Sequence, residues 1–241
     1  RNNDVTVAMV TIDSIGILAE KFIAVRKSID PSLNIDHVMF STLHNHETPD
    51  TMGIWSNMDG VGAILFKSNF DYAYMAKVQK ACKEAVEEAV RCLHPADMTI
   101  AEEEIKPEGF VDDSRDPQVF DLKVCSARFT KHGTDQTIAT MISWGNHVET
   151  LGSSNSLLTS DFPHYLREGL EKGVGEPNGV EKFGGMALYF QGMVGGLMTQ
   201  LHTTVPHRDG QQKFEKASYE KAQALGENVA ISILQDLVRT C

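Results

Sequence analysis

No two cysteines in this chain stand at the spacing of a metal knuckle or a redox motif; Cys82, Cys92, Cys125 and Cys241 are scattered singly. Cys82 and Cys92 fall in one expected helix, where ten residues of rise separate them by about 15 Å, beyond disulfide reach. Cysteine usage therefore does not report a redox compartment. Positive charge is scarce as well, with 22 Lys and Arg against 33 Asp and Glu and a formal net charge of −11. Binding to a phosphate backbone needs clustered cations, so the composition excludes nucleic acid as a partner. Apolar runs stay short of the roughly 20 residues that cross a bilayer. The opening RNNDVTVAMVTID does not have the basic, apolar and small-residue order of a signal peptide, so any export signal is expected to have been removed or not included. GxSxG, HExxH and GxxxxGK[ST] are all missing, which weakens serine-elbow, zincin and phosphate-loop chemistries.

What is present is a globular composition, 41% hydrophobic and 23% charged over 241 residues, enough to bury a sizeable core. VTVAMVTI (5–12) reads as a buried strand, ILAEKFIAVRKSID (17–30) as an amphipathic helix stopped by Pro31, and HVMFSTL (37–43) as a second strand. A long helix is expected from about Asp71 to Leu93, ended by His94 and Pro95. MTIAEEEIK (98–106), FDLKVCSARF (120–129) and TIATMISWG (137–145) read as strands, the last two joined by a hairpin at KHGTDQ. A short helix (160–172), a strand MALYF (186–190) and a final helix from about Phe214 to Val238 complete the pattern. The expected fold class is α/β, a mixed β-sheet with flanking helices. Residues 1–241 are expected to form a single domain, and an incomplete one, because the chain opens almost directly in a core strand and ends on a helix.

Of nine histidines, five sit in turns, helix ends or polar boundaries (His37, His94, His132, His202, His207), where a surface or structural role is the usual one. His44 and His46 are different, since they directly follow a strand in STLHNHETPD, and His147 follows another in WGNHVET. The C-terminal ends of strands are where open α/β sheets place their sites, and side chains at i and i+2 point the same way. Two such strand ends can bring imidazoles together at one metal ion; the competing reading is a pair of hydrogen-bonded loop histidines. A nitrogen-rich set favours Zn2+ over magnesium, although other transition metals also accept imidazole. In QGMVGG, the backbone N–H groups of Gly192, Gly195 and Gly196 could face an anion, or the stretch could be only a tight turn. Arg115, among the acidic residues of DDSRDP, could fix its loop by an ion pair or bind a carboxylate or oxyanion.

Four ordered segments, HNHETPDTMGIW, DSRDPQVFDLKV, ISWGNHVETLGSSNSLLTSDFPHYL and GGMALYFQGMVGGLMT, together resemble the neutral/alkaline non-lysosomal ceramidase family, and more closely its bacterial ceramidase-like members. The resemblance covers roughly residues 5 to 235. It implies a ceramidase-like catalytic domain and a zinc-dependent amidase acting on a lipid-like small molecule, with contact to a membrane surface and a secreted, periplasmic or membrane-associated location. By that resemblance His44 and His147 are zinc ligands, His46 assists the transition state, and Arg115 is the arginine of the middle motif. A glutamate and a tyrosine ligand of the family have no matching positions in this chain. Met198 and Thr199 stand where the family has serine and proline, and HETPDTMGIW replaces a glycine-rich tail, which puts ceramide itself and a serine-dependent step in question. With a thioether at 198, a metal-bound water is the expected nucleophile. An amidohydrolase-type barrel also uses HxH, but its parallel βα repeats do not suit the hairpin at KHGTDQ. A non-catalytic relative that binds lipid or glycan is the other alternative.

Overall fold

Residues 5–54, 70–177, 179–195 and 198–240 are described by a computed structural model of the chain. They belong to two compact units, one of Arg1–Leu43 with Thr48–Leu93, the other of His44–Glu47 with His94–Cys241.

In the first unit, strands β1 (Val7–Ile12) and β2 (His37–Thr42) pair in parallel, from Val7↔His37 to Ile12↔Thr42. Helix α1 (Ala19–Ser28) connects them, as a parallel pair requires. Helix α2 (Tyr72–Arg91) follows, and the Asp71 carboxylate caps it by accepting from the Tyr74 N–H at 2.9 Å. Alternation along the strands turns Ala8, Val10, Val38 and Phe40 toward a core formed with Val25, Ile29, Cys82 and Val86. The expected β-α-β opening is thus present, with both strands ending just before the polar stretches singled out above.

The second unit is built on a four-stranded sheet, β3 (Ala96–Glu104), β5 (Lys123–Lys131), β6 (Thr137–Trp144) and β7 (Met186–Gln191), in that spatial order. The first three strands are antiparallel neighbours and β7 joins β6 in parallel, so the sheet is mixed as expected. Ala101, Ser126, Ile142 and Tyr189 come side by side on its buried face. Against that side pack helices α3 (Asp161–Lys172) and α4 (Tyr219–Thr240). Trp144 and Tyr189 each meet Phe162 of α3 edge to face, with ring centroids 5.7 and 5.8 Å apart. The two helices approach closely where Gly226 lies against α3; a Cβ there would stand 2.5 Å from the Phe162 carbonyl oxygen.

The final helix starts five residues later than expected. Phe214 belongs instead to a short strand, β10 (Lys213–Phe214), which pairs with β9 (Val205–Pro206). The Ser218 hydroxyl then accepts from the Lys221 N–H at 3.1 Å and opens the helix. One more short pair, β4 (Asp112–Asp113) with β8 (Met198–Thr199), matters for the site because it sets Asp113 opposite Met198. Among the described residues no helix is long and apolar enough to cross a membrane.

Candidate metal centre

His147 is placed by the end of the β6–β7 pair. Beyond Trp144 and Gln191 the regular ladder stops, and the Gln191 side chain continues it. Its Oε1 accepts from the Asn146 N–H at 3.2 Å, and its Nε2 donates to the Asn146 carbonyl at 2.7 Å. The two chains nearly touch here, and a Cβ on Gly192 would lie 2.7 Å from the Gly145 nitrogen, so only glycine fits. One residue on, the Met198 carbonyl accepts from both the backbone N–H of His147 (3.1 Å) and its Nδ1 (2.7 Å). A proton held on Nδ1 leaves Nε2 with a lone pair, the form in which imidazole binds a metal.

His44 and His46 are placed by strand register. Asn45 and Val148 form a parallel bridge, and the His46 N–H donates to the Val148 carbonyl at 2.9 Å. In such a pairing the residues flanking the bridged pair point to the opposite face from it. His44 and His46 therefore share one face with His147 and Glu149, while Asn45 and Val148 are fully buried on the other. His44 meets the geometry with a left-handed backbone, φ 58°, uncommon for a residue with a side chain.

The outcome is a cluster of three imidazoles. One ligand atom from each of His44, His46 and His147 lies within 4.8 Å of the others, and His44 Nε2 is 3.4 Å from His46 Nε2. Two nitrogen ligands of a tetrahedral ion with bonds of about 2.0–2.1 Å stand about 3.3–3.4 Å apart, so this spacing suits a shared ion. All three rings are partly exposed, which leaves the cluster reachable from solvent. Burial lowers the pKa of His46 and the other two imidazoles lower it further, while the Glu149 carboxylate raises it.

Beneath the rings lies a buried acidic pair. Asn45 Nδ2 donates to the Thr159 carbonyl at 2.8 Å, and the Thr159 hydroxyl donates to Glu47 Oε2 at 2.5 Å. Burial, with the Asp161 carboxylate second, pushes the Glu47 pKa up to about 7. Burial also raises that of Asp161, whose carboxylate accepts from the Leu151 and Phe162 N–H groups. These contacts tie segment 44–47 onto segment 148–161 and so fix the first two histidines against the third.

The other residues singled out in the sequence fare differently. Arg115 binds Asp113 in a two-point ion pair, Nε to Oδ1 at 3.0 Å and Nη2 to Oδ2 at 2.7 Å. That pair holds the Asp113 carboxyl far below the usual carboxylate range. Asp113 is in turn opposite Met198, whose carbonyl holds His147. The Gly192 N–H donates to the Trp144 carbonyl at 2.9 Å, so it is not free to receive an oxyanion as expected. A Cβ on Gly195 would meet nothing within 4 Å, consistent with an open position, and Gly196 lies outside the described residues. Glu149 was not singled out in the sequence, and Thr199 stood out there only as a departure from the family pattern. Glu149 places Oε2 3.6 Å from His46 Nδ1, and the Thr199 hydroxyl donates to Glu149 Oε1 at 2.6 Å. The signal was available, since H-x-E at 147–149 has the same i, i+2 spacing as H-x-H at 44–46.

Fold and site together define an α/β chain with a candidate metal centre at the ends of its strands. The sequence matches no family profile and no curated protein. Solved structures do match. One is a ceramidase complexed with C2, with TM-score 0.68 and 13% identity over 96% of this chain and 35% of that one. Another is neutral ceramidase from Pseudomonas aeruginosa, with TM-score 0.69 and 15% identity over 95% of this chain and 36% of that one. The fold is thus ceramidase-like, and the chain spans about a third of the length of the ceramidases it matches.

Proposed function

We propose that this chain supplies the metal centre of a zinc-dependent hydrolase that cleaves the amide bond of a ceramide-like N-acyl lipid. The observation that supports this most is the convergence of imidazoles from two separate segments, in a fold shared with ceramidases. The donors this chain offers are imidazole nitrogens lying within 4.8 Å of one another, a set that suits zinc. His44 and His147 hold it. When bound, zinc supplies Lewis acidity toward a carbonyl and a water acidic near neutral pH.

The chain's own residues orient and stabilise. The Met198 carbonyl keeps the His147 Nδ1 proton away from the site, so that Nε2 faces it. Arg115, fixed by Asp113, offers positive charge to the oxygen that becomes an anion during amide hydrolysis, and the N–H of Gly195 is proposed to assist. Met198 has no proton to give and no nucleophilic oxygen, and its buried sulfur accepts from the Asp121 N–H at 3.4 Å. No acyl-enzyme forms at this position. A lipid substrate would bring the protein to a membrane surface, in keeping with a secreted or membrane-associated location.

The test is elemental analysis of the full-length protein purified without chelator, with release of fatty acid from a labelled short-chain ceramide and a panel of simple amides. About one zinc per chain is expected in wild type, lost in His44→Ala and His147→Ala, with chelator-sensitive hydrolysis of at least one amide. Wild type without metal overturns the metal reading. Bound zinc with no hydrolysis on the whole panel overturns the substrate class and favours a lipid-binding relative.

A further inference from the structure

We infer that Asp113 is a positioning residue for His147: its carboxylate closes the loop 113–121 around Met198, the residue whose carbonyl orients that histidine, and so joins Arg115 to the metal site. This role rests on the proposed function and goes beyond it, because there Asp113 serves only Arg115.

A carboxylate taken out of water is costly unless its oxygens are engaged by donors. The Asp113 side chain has 0% exposure, and its bonds among the described residues go to one short segment. Oδ1 accepts from the backbone N–H of Arg115 at 3.1 Å and from its Nε at 3.0 Å. Oδ2 accepts from Arg115 Nη2 at 2.7 Å and from the Val119 N–H at 2.8 Å. The Gln118 amide adds a second tie, donating from Nε2 to the Asp113 carbonyl at 3.1 Å and to Asp112 Oδ1 at 2.9 Å. The loop is thus drawn shut on a buried charge, a stronger fastening than neutral hydrogen bonds would give.

Both ends of that loop touch Met198. At its start the β4–β8 pairing sets Asp113 opposite Met198, and at its end the Asp121 N–H donates to the Met198 sulfur at 3.4 Å. Met198 is 2% exposed, so a close-packed surround transmits any shift of the loop to it. Its carbonyl accepts from the N–H and the Nδ1 of His147 at 3.1 and 2.7 Å. Contacts therefore run from Arg115 through Asp113 and Met198 to His147. Asparagine at 113 would keep the shape but not the charge, and its amide would set N–H groups against donors that a carboxylate oxygen now satisfies. The loop would loosen, and with it the support of the histidine.

The experiment uses the full-length protein and two measurements. Hydrogen–deuterium exchange of the metal-free protein, read by mass spectrometry on peptides covering 113–121, 145–150 and 222–237, compares wild type with Asp113→Asn. Exchange is expected to rise at least about tenfold in the first two peptides and to stay within about twofold in the third, which belongs to helix α4. Cobalt(II) titration followed by visible absorption then compares wild type, Asp113→Asn, Arg115→Gln and the double variant. Asp113→Asn is expected to raise Kd about tenfold and to shift the cobalt bands as the His147 ring turns. Adding Arg115→Gln to it is expected to change Kd by less than about twofold, because both act through one loop. Unchanged exchange at 145–150 in Asp113→Asn would overturn the inference, and so would cobalt affinity and bands equal to wild type. Faster exchange in all three peptides would show that Asp113 serves the fold as a whole and would overturn it too. If Asp113→Asn does not fold, Asp113→Glu, which keeps the charge and displaces it by one methylene, takes its place under the same criteria. Wild type that takes up no cobalt refutes the proposed function instead, while exchange at 145–150 still decides whether Asp113 positions His147.

Discussion

Replacing Glu47 by glutamine should change how stability depends on pH, and the structure gives both the sign and the size. Glu47 has its pKa raised from 4.5 to about 7, chiefly by burial and then by the neighbouring Asp161 carboxylate. Between those values the folded state keeps a proton that the unfolded state has released, so stability falls as pH rises from about 4.5 to 7, and above that the loss is complete. A shift of this size corresponds to at most about 3 kcal/mol; local relaxation and the Thr159 hydroxyl, which favours the charged form, offset part of it, and about 1–2 kcal/mol is expected. His46 has the opposite sign: its lowered pKa makes stability rise with pH up to its ordinary value of 6.5. The wild-type curve alone therefore mixes the two. Glutamine imitates the protonated carboxyl and can still accept from the Thr159 hydroxyl, so the difference between wild type and Glu47→Gln isolates the acid. Urea unfolding with chelator present, which removes the pH dependence of metal uptake, should show the difference moving in favour of glutamine by about 1–2 kcal/mol between pH 4.5 and 8. A difference that is flat across this range, or that moves in favour of glutamate, would refute the assignment of a protonated Glu47.

Three further outcomes are expected. Gly226→Ala places a Cβ 2.5 Å from the Phe162 carbonyl oxygen and 2.7 Å from the Leu166 nitrogen, so thermal or urea unfolding should show a loss of about 2–4 kcal/mol as the two helices separate. Tyr189→Phe removes a fully buried hydroxyl that donates to the Trp144 carbonyl at 2.8 Å and should cost about 1–2 kcal/mol in the same assay. Met198→Ser leaves a cavity where a buried thioether packed and should destabilise by about 2–4 kcal/mol; in the wild type, mass spectrometry with serine-trapping reagents should find no adduct on any serine, and a captured acyl-enzyme would contradict the proposed mechanism.

Much of this arrangement was legible in the sequence because the signals were local. The opening β-α-β unit, the KHGTDQ hairpin and the helix at 160–172, found at Asp161–Lys172, each have periodicity and punctuation within a few residues. His44, His46 and His147 stood out because each follows a run of β-forming residues. The parts that were not legible depend on long-range pairing. Phe214 looked like a helix start, and only its partner Val205 makes it a strand. The Gly192 amide looked free, and only the crossing with Gly145 shows where its proton goes. The role of His46 turns on register in the same way. By resemblance it assists the transition state, while the Asn45–Val148 bridge sets Glu149 behind it, a relation that no local window contains.

The departures from the ceramidase pattern meet at one point in the structure. Where the resemblance leads one to expect serine and proline, strand β8 has Met198 and Thr199, and each takes part in holding the histidine cluster. The Met198 carbonyl orients His147, and the Thr199 hydroxyl holds the carboxylate that faces His46. A proline at 199 could not hold Glu149, since it has no hydroxyl, and without that bond Glu149 would face His46 unsupported. Exchange of Thr199 for proline should therefore weaken metal binding even though the three histidines are intact. In the proposed reading, a segment whose serine the resemblance ties to the reaction supplies ligand orientation here. That change is coherent with the proposed hydrolysis by water, because a thioether at 198 offers no nucleophile while the carbonyl of the same residue orients His147.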